Sequence, residues 1–486
     1  MSDIVIAALN ARYSHTAFGA RYLLANMGAL RSRTLLLEFN LGQDPVEMAD
    51  AIAEQQPAIV GLGIYIWNRQ ALTEVVKRLR ERCPDTCIVL GGPEVSFDPP
   101  GNPLVQTADY VIRGEADHAF AALCRRVLAG DRPPGPIIKP EAPDLAGLDL
   151  PYDEYTDTDV AQRLVYVEAS RGCPYQCEYC ISALDTKMRR FEFDRILPSF
   201  KKLIERGVQH FKFVDRTMNT DIAVCAELLD FFLEQYRPGM TVHFEMIPDR
   251  LPNELKKRIL RFPEGALHLE IGIQTYNEDV AARIKRRTNY VAADENIRFL
   301  CTETGAHVHI DLIAGLPGES LESIGNGFDR AIALNPHELQ FGILKKLPGA
   351  PIARHDDEWN MRYNPAPPYD IVSNSLVDKE VMEELKRFAR LWDRLYNRGD
   401  FARTLPLLWS AGTSPFKAFR DLSARLYERF ERTHSIQLVK LAEGLFDYLV
   451  NAGHDPHETA RTLWNDYHRN GRRRNQPVFL RKYLNA

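Results

Sequence analysis

LVYVEASRGCPYQCEYC, residues 164–180, decides how the rest of the chain is read. It opens as a short apolar, β-branched run of the kind that forms a buried parallel strand. At Gly172 and Pro174 it breaks into a loop where Cys173, Cys177 and Cys180 stand as C-x3-C-x2-C. Three thiolates this close suit three irons of a cubane cluster. A loop at the carboxyl end of a barrel strand is where such folds place their chemistry. Zinc normally asks for a fourth Cys or His at ligand spacing, and none follows closely. Buried structural thiols are the bland alternative, but glycine and proline mark a loop rather than a core. Three ligands leave one iron open to chelate an amino and a carboxylate group.

Downstream, HFKFVD (210–215), TVHFEM (241–246), ALHLEIGI (266–273), HVHIDLIAGL (307–316) and ELQFGIL (338–344) are further candidate strands, separated by helical stretches. Six β/α units over 164–350 predict a partial (β/α)6 barrel. Upstream, IVIAALN (4–10), TLLLEFN (34–40), IVGLGIYIW (59–67), CIVLGG (87–92) and DYVIRGE (109–115) alternate with helical patterns at 16–30 and 69–82. They predict a doubly wound, Rossmann-like α/β domain of about five strands over 1–130. Residues 131–163 carry six prolines with little periodicity, as expected of a linker. Beyond 350 the strand pattern fades. Helices are expected at 376–398, 415–432 and 437–452, in a mostly helical C-terminal domain (351–486) that caps the barrel mouth. Its aromatics Trp359, Tyr363, Tyr369, Trp392 and Trp409 read as core before they read as pocket.

The bulk numbers fit this plan. With 486 residues, 45% hydrophobic and 26% charged, the chain has material for several cores. A net charge of −5 forces no basic face, so nucleic acid is not expected as a partner. The basic end, including Arg472, Arg473 and Arg474, reads as a solvated tail. No run is apolar enough for a membrane span, and MSDIVIAALNARYSH lacks a signal peptide's pattern. Cytoplasmic residence is the default expectation. The five scattered cysteines do not suggest a secreted disulfide framework.

C-x3-C-x2-C with Tyr179 before the third cysteine resembles the radical S-adenosylmethionine (SAM) superfamily. The resemblance implies a [4Fe–4S] cluster held by the three cysteines and reductive cleavage of SAM to a 5′-deoxyadenosyl radical. The electrons would come from a donor such as flavodoxin or ferredoxin. Later motifs sit where that superfamily binds SAM. In VDRTMN (214–219), Asp215 and Thr217 stand in for a missing glycine-rich motif at the methionine amino group. Glu245 resembles the ribose-contacting acid. EIGIQTYNEDVAARIKR (270–286) resembles the coproporphyrinogen-oxidase-like branch, with Gln274 at the ribose and Arg286 at the methionine carboxylate, a bidentate task suited to arginine. DLIAGLPGES (311–320), with Asp311 and Gly315, resembles the motif near the adenine.

The carboxyl ends of the upstream strands carry small residues: Gly61 and Gly63, then Gly91, Gly92, Pro93 and Glu94, then Gly114 and Glu115. Open α/β sheets bind ligands at that edge, and small residues admit a bulky one. No G-x-G-x-x-G follows the first strand, so a dinucleotide is disfavoured. The layout resembles the cobalamin domain fused to radical enzymes of the anaerobic magnesium-protoporphyrin cyclase type. The tail resembles an uncharacterised C-terminal domain found in some members. Tyr65 and Trp67 are candidates to flank the corrin. The family's D-x-H-x-x-G loop is altered here to YSHTAFG (13–19). His15 lacks the acid that would orient it as an axial ligand, and radical members often leave that face unligated.

Two reactions fit both cofactors: methyl transfer to a carbon or phosphorus centre of a small molecule, and a cyclisation, rearrangement or redox step without it. The fold does not choose between them. Methyl transfer is the expectation, as the commonest role of the pair. An RNA-modifying methylthiotransferase would need a second cysteine triad, which Cys83, Cys87 and Cys124 do not supply. A non-enzymatic cobalamin sensor would leave the cysteine triad unexplained. No residue stands out as a general acid or base.

Overall fold

The computed structural model describes residues 2–97, 102–410, 412–469, 471 and 477–484. The basic triplet 472–474 lies outside the described residues. The upstream segments form β1 (Ile4–Asn10), β2 (Thr34–Asn40), β3 (Ile59–Gly63), β4 (Cys87–Gly91) and β5 (Tyr110–Ile112). A sixth strand, β6 (Ile137–Ile138), pairs in parallel with β5, so the sheet has six strands, ordered β2-β1-β3-β4-β5-β6, where five were expected. Two residues amid prolines are too few to show a period. Val5, Ala7 and Leu9 pack on one face, and Ile4 and Ile6 on the other. Burial on both sides is why these strands read as continuous apolar runs.

The stretch read as a linker is ordered. After β6, short helical turns at Leu145–Gly147 and Pro151–Glu154 and a helix at Asp157–Gln162 follow. Leu145, Leu148, Tyr152 and Tyr155 are buried in the barrel's core, and Tyr152 and Tyr155 also pack against Phe18 and Arg21 of the first domain.

The barrel begins with β7 (Val165–Val167). β8 (Ser170–Arg171) and β9 (Arg189–Arg190) pair antiparallel and bracket the cysteine loop. β10 (His210–Phe213), β11 (Thr241–Met246), β12 (Leu267–Gln274), β13 (His307–Ala314) and β14 (Glu338–Ile343) complete a parallel sheet ordered β14-β13-β12-β11-β10-β7. β7 and β14 are its unpaired edges, so the barrel is open on one side. Burial alternates along β11, β12 and β13. Val242, Phe244, Leu269, Ile271, Val308 and Ile310 belong to the core. Lys212, His243, Glu270 and His309 line a chamber of about 320 Å³. The lumen is thus polar and hollow, unlike the side-chain-filled interior of a complete barrel.

The first domain covers the open side. Along β7, the Leu164 amide donates to the Ser14 carbonyl at 2.8 Å, and His15 Nδ1 lies 2.5 Å from the Tyr166 hydroxyl. Beside them a buried network joins Arg21 to Glu38 (2.6 Å) and Asp159 (2.8 Å), and Arg163 to both carboxylates at 3.0 Å. Beyond β14, the Tyr369 hydroxyl donates to Glu94 at 2.7 Å, and Gly349 lies against the Phe97 ring.

The C-terminal region starts with a small hairpin, β15 (Arg362–Tyr363) and β16 (Ile371–Ser373), too short to be seen in the sequence. Helices follow at Lys379–Trp392, Pro415–Phe430, Leu438–Asn451 and Pro456–His468. The helix expected to reach 398 continues past Trp392 as a wider π turn over Asp393–Asn397. Trp392 is fully buried, its ring 4.7 Å from that of Phe328 on a barrel helix. Among the described residues no helix is long and apolar enough to cross a membrane.

Candidate active site

The cysteine loop leaves β8 at Gly172, whose missing side chain permits both φ +87° and the close approach of the Lys187 carbonyl. The Cys173 amide donates to the Asp185 carbonyl at 2.9 Å, which closes the loop. Cys173, Cys177 and Cys180 line one pocket of about 140 Å³ with Tyr179, Thr217, Glu245, Gln274, Arg286 and Asp311. Residues from five separate motifs therefore meet, as β/α units direct their carboxyl ends to one rim. Burial pushes the Cys173 thiol up.

Arg286 Nη1 points at Cys177 Sγ from 3.7 Å, and its Nη2 donates to the Gly272 carbonyl. Its buried Nε has no protein partner. Gln274 follows a bulge in β12 at φ +72°. A side chain at Gly272 would overlap the Gln274 amide and stand 3.6 Å from Arg286. The carboxylates of the pocket are set apart by their surroundings. Burial raises Glu245 to about 7. Burial opposes ionisation of Glu270 too, but the His243 hydrogen bond at 2.8 Å and the Lys212 charge outweigh it and hold it at about 2. Burial also raises Asp311, partly offset by His309 at 3.1 Å.

Two residues expected at SAM, Asp215 and Gly315, do not line this pocket. Asp215 accepts from the Ala169 amide (2.9 Å) and the Ser170 hydroxyl (2.5 Å), which ties down the strand end before the cysteine loop and turns it away from the pocket. Gly315 makes room for Ile371 and Met382 of the C-terminal region. Conversely, Arg216, Glu270 and Gly272 line the pocket without having been singled out. Glu270 and Gly272 share the two-residue phase of Gln274 along LHLEIGIQ, a signal that was there to be used.

At the first sheet's carboxyl edge the picked residues divide. Gly61 faces the Phe120 ring, so it serves core packing, and Gly92 meets the Ile64 backbone at φ +95°. Gly91 comes near the Ile112 carbonyl and Gly63 near the Tyr65 ring, while Gly114 faces open space. Pro93 starts a short helix. Glu94 is taken up by Arg69 (3.2 Å) and Tyr369, and Glu115 by Arg171 (2.6 Å) and Arg189. His15 is engaged by Tyr166, and burial and Lys212 lower its pKa. Tyr65 and Trp67 stack with centroids 4.5 Å apart. Trp67, Tyr13, Leu41 and Phe97, which follow β3, β1, β2 and β4, are each 42–50% exposed. Four partly exposed apolar side chains thus stand after the strand ends of this edge.

The family model of a B12 binding domain matches residues 4–124, that of the radical SAM superfamily matches 167–330, and a protein family of unknown function (DUF4080) matches 357–486. The chain is 25% identical, over 83% of its length, to the cobalamin-dependent radical SAM methyltransferase TokK of Streptomyces tokunonensis. It is 24% identical, over 64%, to the 2-(S-pantetheinyl)-carbapenam-3-carboxylate methyltransferase of Streptantibioticus cattleyicolor. It spans 63% and 51% of those two enzymes. Among solved structures, the radical SAM methyltransferase TsrM of Kitasatospora setae superposes with a TM-score of 0.60, at 17% identity, over 76% of this chain and 80% of TsrM. The chain thus joins a B12 binding domain to a radical SAM domain and is similar to cobalamin-dependent radical SAM methyltransferases.

Proposed function

We propose that this chain is a cobalamin-dependent radical SAM methyltransferase acting on a carbon or phosphorus centre of a small molecule. The observation that carries this is the convergence of three thiols and Arg286 on one pocket, in a barrel whose open side is covered by a B12 binding domain. Methyl transfer is favoured over other radical chemistry because both curated relatives above are methyltransferases.

Cys173, Cys177 and Cys180 would hold a [4Fe–4S] cluster, and the aromatic rim at Tyr65 and Trp67 would hold cobalamin. When bound, the two groups supply a one-electron reductant for SAM and a methyl carrier. Arg286, with its spare buried Nε, pairs with the methionine carboxylate. Glu245 and Gln274 accept and donate at the ribose, and the bare Gly272 leaves space for both. Thr217 and Asp311 complete the wall. Asp215 and Glu115 act indirectly, the first by fixing the strand before the cysteine loop, the second by bridging the domains through Arg171. Flavodoxin or ferredoxin supplies electrons, and the need for a reducing compartment favours the cytoplasm.

The test is anaerobic reconstitution with iron, sulfide, cobalamin and methyl-labelled SAM, with mass analysis of products from candidate metabolites. Labelled methyl in a product is the expected result. 5′-Deoxyadenosine without methyl transfer would move the assignment to a cyclisation, rearrangement or redox step. Turnover surviving replacement of all three cysteines by alanine would refute the radical assignment.

A further inference from the structure

Glu178 lies between two of the cysteines and its side chain is fully buried. A carboxylate there is costly unless it is paired, and it is paired three ways. Arg354 Nε donates to Oε2 at 2.7 Å, and His355 Nε2 lies 2.7 Å from the same oxygen. Lys285 Nζ stands 3.3 Å from Oε1. The backbone joins in. The Glu178 amide donates to the Ile284 carbonyl at 3.0 Å, and its carbonyl accepts from the Ile352 amide at 2.8 Å.

One residue of the cysteine loop is therefore fastened to two distant segments. The first, 283–285, leads directly into Arg286, which approaches Cys177 Sγ. The second, 351–355, opens the region after the barrel. Loop closure alone needs only the backbone bonds. The carboxylate adds a buried negative charge beside Cys177, balanced by cations on half-exposed stems: the side chains of Arg354 and Lys285 are 52% and 49% exposed.

We propose that Glu178 is a positioning residue that, with Lys285, Arg354 and His355, sets the geometry and reduction potential of the cluster held by Cys173, Cys177 and Cys180. This rests on the reading of those thiols as cluster ligands. A buried charge next to a ligand tunes a cluster's potential through the local field. Removing the negative charge while its cations remain favours the reduced cluster. Removing a cation favours the oxidised one.

The test compares E178Q and K285M with wild type after anaerobic reconstitution, by iron and sulfide content, redox titration and electron paramagnetic resonance of the reduced cluster. E178Q is expected to shift the reduction equilibrium about tenfold toward the reduced form, 59 mV for a one-electron couple. K285M, at a half-exposed stem, shifts it the opposite way and keeps the test open should E178Q not fold. Potentials unchanged in both variants, or moved in the same direction, would overturn the proposal. A wild-type chain that binds no cluster would instead refute the reading of the thiols.

Discussion

Gly272→Ala tests the pocket at its tightest point. The new methyl group overlaps Gln274 Nε2 and lies in ordinary contact, 3.6 Å, with Arg286 Nη2. The Gln274 amide must withdraw by about 1 Å to regain van der Waals distance. Its backbone, already at φ +72° beyond a bulge, has little freedom to follow. The lumen is hollow, so the displaced side chain has somewhere to go. The cost to stability is that of an off-rotamer side chain, about 1 kcal/mol. The cost to function is larger, since a misplacement of about 1 Å at a positioning group lowers rate roughly 100-fold. Anaerobic calorimetry with SAM and the rate of 5′-deoxyadenosine formation measure the two effects. G272A should melt close to wild type, bind SAM about tenfold more weakly and form deoxyadenosine about 100-fold more slowly. The double variant G272A/Q274A should match Q274A alone, because both act through one amide. Wild-type SAM affinity and rate in G272A, or additive losses in the double variant, would sink the argument.

Three further outcomes follow from the same geometry. R286K keeps the charge but loses the fork, and should weaken SAM binding about ten- to a hundredfold, the worth of a charge-assisted hydrogen bond of about 1.5–3 kcal/mol; calorimetry decides. Glu245, raised by burial to about 7, is ionised above that pH and then attracts the sulfonium. SAM affinity should therefore rise between pH 6 and 8 in wild type and stay flat in E245Q. R21M leaves Arg163 as the one cation paired with Glu38 and Asp159 among the described residues, and should cost about 3–5 kcal/mol in urea denaturation at pH 7. Burial disfavours the charge of both carboxylates, but Arg21 outweighs it and holds them below their ordinary values. Their contribution is present above those ordinary values, 4.5 and 3.8. It is lost as pH falls through the depressed folded values, so R21M should also flatten the acid limb of the stability curve.

The fold was legible where strands are long enough to carry a period. IVIAALN and TVHFEM form strands with the bounds read from sequence, because apolar runs and strict alternation leave little room to slip. β6, β15 and β16, of two or three residues, had no such signal. The proline-rich stretch looked like a linker because its buried residues, Leu145, Leu148, Tyr152 and Tyr155, follow no single period and are held by tertiary contact. In the candidate site, motifs point to the thiols, Glu245, Gln274 and Arg286, and these side chains line one pocket. Asp215 does not line that pocket, and sequence cannot show this, because a carboxylate that binds a backbone amide and a hydroxyl reads the same as one that faces a ligand. Glu178 escaped notice because its partners lie more than 100 residues away, beyond anything spacing can show.

The way the first domain covers the barrel's open side has a consequence for how turnover is organised. The domain is stitched to β7 through Ser14 and His15, and to the far margin through Glu94 and Phe97, so it is held at both margins of the barrel. A ligand at its carboxyl edge would lie on the cysteine-loop side, where Glu115 meets Arg171 and Arg189. On the proposed function, the order of events then falls to the small molecules that arrive and leave, and the segment after β14 supplies the far margin's half of that stitching through Tyr369 and Gly349.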